Sequence, residues 1–144
     1  MRIRGYLLIC ILLLALGCSK NNASAGPSIS IKSYPGQVNN NGQGFTAVLN
    51  FTVNGGNVSG DSLVIYEHRY NQSYAPFHND TFPTRLPVTP DANKGEFSAS
   101  LTWDVIQYGN ANEADTVDFS FVLIDQNLKH SDTAVTGKVI IYQF

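Results

Sequence analysis

The chain has 144 residues, of which 43% are hydrophobic and 14% charged, and its formal net charge is −2. That length fits one small domain after a leader. Eleven acidic against nine basic residues, with no basic stripe, exclude a nucleic-acid binder that works through phosphate contacts.

In chain order, the first feature is an export signal. Residues 1–18 open Met1-Arg2-Ile3-Arg4-Gly5, run apolar from Tyr6 to Leu16 and end Gly17-Cys18. As a helix the run spans about 17 Å. A bilayer core is about 30 Å thick, so a removable signal is expected over residues 1–17 rather than a permanent span. The segment Leu14-Ala15-Leu16-Gly17-Cys18 resembles the lipobox of bacterial lipoproteins, with Ala15 at the place where Leu is usual. The resemblance implies cleavage before Cys18, a diacylglyceryl thioether on its sulfur and a membrane anchor of several acyl chains. Removing residues 1–17 takes Arg2, Arg4 and Cys10 with it. Seven basic residues then face eleven acidic ones, a net charge near −4. With Cys18 as the anchor, no disulfide is expected in the domain.

Residues 18–27 are the lipidated Cys and a small, polar tether, and residues 28–144 the folded domain. The start Cys18-Ser19-Lys20-Asn21-Asn22 is similar to lipoproteins of Bacteroidetes-type bacteria, which implies a cell-envelope location at the outer membrane. No acid follows Lys20, so the periplasmic and surface faces both stay open.

Period-two alternation dominates the rest. The first expected strand is Ser28–Ser33. Next, Phe45, Ala47, Leu49, Phe51 and Val53 alternate with polar residues, and Ser62–Tyr70 follows. A weaker strand is expected within Thr81–Val88. Phe97, Ala99, Leu101 and Trp103 then alternate with Ser98, Ser100 and Thr102, and Val117, Phe119, Phe121 and Leu123 with Asp118 and Ser120. Thr133–Tyr142 is the last. Gly- and Asn-rich breakers separate the runs, among them residues 39–42, 54–57, 91–95 and 108–110. Seven short strands and no amphipathic helix predict an all-β antiparallel sandwich. The stretch Asp115–Asp125, followed by Gln126-Asn127-Leu128-Lys129-His130 and Ser131-Asp132-Thr133, resembles the last two strands of immunoglobulin-like and fibronectin-III-like modules of bacterial surface proteins.

Candidate sites are few. Gly55-Gly56-Asn57-Val58-Ser59-Gly60 lacks the Lys of a phosphate loop and the spacing of a nucleophile elbow, and reads as a turn. His68, His78 and His130 are too scattered for a zinc site. Asn110, Asn112, Glu113 and Asp115 gather side-chain oxygens of the kind that hold calcium, without the EF-hand spacing. The segment Tyr66–Arg85 is rich in aromatic and basic residues. Arg69, Tyr70, Tyr74 and Phe77 are its candidate contact set, against the reading that Tyr66 and Tyr70 fill the core. Ser62, Thr116 and Thr133 each follow an Asp and precede an aliphatic residue, which matches the O-glycosylation acceptor pattern of Bacteroidetes-type bacteria.

These features predict a non-catalytic, lipid-anchored envelope protein that recognises a glycan or a protein. No cofactor is expected. An assembly subunit that pairs through a sheet edge is the first alternative, and a small hydrolase the second. The hydrolase would need a linked carboxylate pair or nucleophile, which the sequence does not display.

Overall fold

In the computed structural model, which describes residues 26–54, 58–70, 81–86, 93–107 and 113–143, the alternating runs are strands. They are β1 (Ser28–Ser33), β2 (Gln37–Asn39), β3 (Phe45–Thr52), β4 (Ser62–Arg69), β5 (Thr81–Arg85), β6 (Lys94–Leu101), β7 (Asp115–Ile124), β8 (Ala134–Val135) and β9 (Val139–Tyr142), with one helical turn, α1 (Trp103–Ile106). The smaller sheet has the order β1-β3-β6, and the larger β2-β9-β7-β4-β5 with β8 also on β7. Each sheet has one apolar face, and burying both against each other yields an immunoglobulin-like β-sandwich. Phe45, Leu49, Leu63, Phe119, Phe121 and Leu123 are fully buried between the sheets. Phe45 from one sheet stacks on Phe119 from the other, with ring centroids 4.1 Å apart.

Three details depart from the expected strands. First, β2 is an extra strand in a polar stretch, and it pairs with β9 in parallel rather than antiparallel. The chain leaves the smaller sheet after β1, turns at Pro35-Gly36 and joins the larger one, with Val38 buried. One buried residue in three gives alternation nothing to display. Second, β6 stops at Leu101, and Trp103 begins α1 instead of ending the strand. The last pair of the β3–β6 ladder is Phe45↔Leu101, so no partner remains beyond it. A single turn then buries Trp103 and Ile106, three residues apart on one helical face.

Third, the predicted last strand is broken in two. Ser120 pairs with Val135, whereas Val117 pairs with Val139, so the register slips by one residue between them. The extra residue is a β-bulge over Thr136–Lys138. Thr136 N–H donates to the Phe119 carbonyl at 2.9 Å, and Phe119 N–H donates to Thr136 Oγ1 at 2.9 Å. Gly137 N–H donates to Tyr34 Oη at 2.8 Å. Two of these donors, the Phe119 and Gly137 N–H groups, are thus satisfied by side chains where backbone pairing lapses. The β7–β8 turn is closed by Asp125, whose Oδ1 accepts from the backbone N–H groups of Asn127 and Lys129, each at 2.8 Å.

Candidate ligand-binding face

Strand β4 is central in the larger sheet, between β5 and β7. From Ile65 onward burial alternates, so Leu63, Ile65, Glu67 and Arg69 face the core while Tyr66, His68 and, just past the strand's end, Tyr70 face outward; Val64, on the outward parity, is buried as well. The parity of Leu63 and Ile65 carries this assignment in the sequence itself. Tyr66 and Tyr70 are 43% and 41% exposed, which rejects the expectation that they fill the core.

The outward residues form a polar aromatic cluster. Tyr70 Oη donates to Asp118 Oδ2 at 2.5 Å. His68 Nδ1 stands 3.5 Å from the same oxygen, and its ring meets Tyr70 edge-on with centroids 4.6 Å apart. Lys138 Nζ lies 4.5 Å from the Tyr70 ring centroid, within cation–π range. The hydrogen bond to Asp118 raises the Tyr70 phenol above its ordinary value, with desolvation and the Asp118 charge adding in the same direction.

The bulge builds this cluster. Val135 lies opposite Ser120 on the outer face, and Lys138, three residues on, reaches Tyr70 on that same face. Plain alternation would send residues three apart to opposite faces. The inserted residue re-aims Lys138 outward while Thr136 stays buried.

Arg69 corrects the candidate contact set. Its side chain is 4% exposed and faces inward, so it is not a surface contact. Nη2 lies 2.7 Å from Glu67 Oε1 and donates to the Ile106 carbonyl at 2.8 Å, and Nη1 donates to Asp115 Oδ2. Gln143 Nε2 donates to that Asp115 oxygen at 2.8 Å. An unpaired buried charge is costly, which is why two carboxylates and a carbonyl close around this guanidinium. Burial pushes the Asp115 carboxyl above its ordinary range, against the pull of Arg69 and Gln143.

The other candidates separate. Tyr74 and Phe77 lie outside the described residues, as do Cys18, Asn110 and Asn112. Of the calcium candidates, Glu113 is exposed, and Asp115 is buried and committed to Arg69. This corrects Asp115 as a free calcium ligand, because its carboxylate already balances a buried cation. Among the described residues, no group of three or more His, Cys, Asp or Glu is placed to hold a metal ion. Ser62 and Thr116 are half-buried strand residues, whereas Thr133 is exposed. The acids before the first two, Asp61 and Asp115, are buried. A polar cleft of about 300 Å³ lies beside β2, lined by Gln37, Asn39, Asn41 and Gln43 among others; no aromatic ring or charge lines it.

No family model matches the sequence. No curated protein matches it either. Among solved structures it is similar to a superoxide reductase (neelaredoxin) from Ignicoccus hospitalis, at 9% identity and a TM-score of 0.34, with 81% of this chain and 80% of that chain covered. A likeness of that size carries no argument about activity.

Proposed function

We propose that this chain is a lipid-anchored, non-catalytic module of a bacterial envelope that recognises a glycan or a protein through the outer face of its larger sheet. The observation that carries the reading is the pair of exposed tyrosines, Tyr66 on the central strand β4 and Tyr70 immediately after it, with Tyr70 held by Asp118, His68 and Lys138. Aromatic rings offer large contact area at low entropy cost, and rings already held in place lose less freedom on binding. Among the described residues, the close carboxylates Glu67 and Asp115 both serve Arg69, so they support packing rather than hydrolysis.

The lipoprotein part rests on the sequence Leu14-Ala15-Leu16-Gly17-Cys18. Its test is metabolic labelling with a radioactive fatty acid, where Cys18→Ser is expected to abolish the label. For recognition, Tyr66→Ala and Tyr70→Ala are expected to weaken capture of glycans on an array, or of an envelope partner in a pull-down, by tenfold or more. Unchanged capture by both variants, with melting preserved, sinks the reading.

One observation favours edge pairing as a second reading. Strand β6 has eight residues without proline and pairs, among the described residues, with β3 alone. The edge strand β5 carries Pro83, which blunts it. A stoichiometric envelope partner lost on Ser98→Pro, but kept by Tyr70→Ala, would support assembly through β6.

A further inference from the structure

Resting on the reading of this face as a recognition surface, we infer that its ligand is an acidic oligosaccharide, with one sugar ring against Tyr66 and the carboxylate of a further unit met by Lys138 beside Tyr70.

The charge balance of the face points to an anion. Among the described residues of the cluster the negative group is Asp118, and its side chain is 14% exposed. Tyr70 Oη donates to it at 2.5 Å and the His68 ring stands beside it. The acid is therefore capped beneath the rings. Lys138 is exposed, and no acid pairs with it among the described residues. Asp118 keeps its charge under these contacts, but Lys138 is the more accessible of the two, so the group an incoming ligand meets first is positive. The chain as a whole is negative, but salt screens charges beyond roughly 8 Å at physiological ionic strength, so the distant acids count for little beside the local pair of sheltered Asp118 and exposed Lys138.

The backbone supports the same conclusion. Lys138 reaches this face because a bulge gives up regular pairing between β7 and the last strands. Bulges that re-aim a side chain recur beside functional sites. Here the re-aimed group is a cation set 4.5 Å from an exposed ring.

The shape selects a saccharide over an acidic peptide. An extended peptide gains affinity by adding main-chain hydrogen bonds at a free sheet edge. Strands β4 and β7 are both paired on two sides, so this face offers side chains only. Tyr66, His68 and Tyr70 recur at every second residue, about 6.6 Å apart along the strand. A row of rings with polar tips matches a chain of sugar units, each with an apolar ring face and a rim of hydroxyls.

The test uses the full chain in detergent micelles and calorimetric titration with hexagalacturonate, a hyaluronan hexamer, methyl-esterified hexagalacturonate and hexaglutamate. At least one acidic saccharide is expected to bind, tenfold or more tighter than the ester and the peptide, and more weakly as salt rises. Lys138→Gln is expected to lose that tenfold, Lys138→Arg to keep it, and both to melt like the parent chain. Equal binding of the ester, or no effect of Lys138→Gln, overturns the acidic assignment while leaving neutral-glycan recognition standing. Equal binding of hexaglutamate overturns the saccharide assignment. Failure of both acidic saccharides overturns the inference. The recognition reading falls separately, when Tyr66→Ala and Tyr70→Ala leave every captured partner unchanged.

Discussion

Arg69 and Tyr70 are neighbours in sequence and opposites in role. Strand geometry sends one guanidinium into the core and one phenol into solvent. Removing the buried cation leaves Glu67 and Asp115 as uncompensated charges. Arg69→Met is therefore expected to cost about 3–5 kcal/mol in urea unfolding. Replacing Glu67, Arg69 and Asp115 together by apolar residues should recover most of that loss. A cost below about 1 kcal/mol for Arg69→Met would show that water, not protein, balances the cluster. Tyr70 makes a prediction at alkaline pH. Its phenol is raised in the folded state, so the contribution of the Tyr70–Asp118 bond is present below the ordinary tyrosine value and lost as pH rises through the raised one. In an absorbance titration of the tyrosines, one phenol should ionise late. Asp118→Asn should bring it back toward the rest, and Tyr70→Phe should remove it.

At the scale of elements, alternating strands were legible because burial on one face of a strand repeats locally. The boundaries of β1 agree with the expectation, and those of β3, β4 and β7 fall within two residues of it. The bulge and α1 were not legible, since both depend on where a partner strand ends or slips. The inward course of Glu67 and Arg69 was written in the parity of β4, but charged residues are rarely buried and so mask that signal. Turn glycines carry a sharper constraint. Gly44 sits at φ +68°, and a Cβ there would stand 2.1 Å from the Leu101 carbonyl oxygen, at the last rung of the β3–β6 ladder. Gly42 has φ +77° but open space around it. Gly42→Ala should cost about 1–2 kcal/mol from the left-handed backbone alone. Gly44→Ala should cost clearly more, because the carbonyl must also move. Equal melting shifts for the two variants would refute the close approach.

The whole molecule depends on contacts between the two sheets, with no cysteine after Cys18 to staple them. The stacked pair Phe45 and Phe119 spans that interface. Phe119→Ala is expected to cost about 3–5 kcal/mol in denaturant unfolding. That is a large share of the roughly 5–15 kcal/mol that stabilises a domain. A loss under about 1 kcal/mol would place the main inter-sheet contact elsewhere. The sequence by itself determined the all-β class, most of the strands and the inward and outward faces of β3, β6 and β7, because these follow from short-range alternation of apolar and polar residues. Tertiary structure alone decided that β2 joins β9 in parallel, that a bulge carries Lys138 onto Tyr70, and that Asp115 closes on Arg69 from 46 residues away. Those outcomes depend on register and long-range pairing. Neither has a local signature, because each is set by which segment is left to satisfy a ladder or a buried charge.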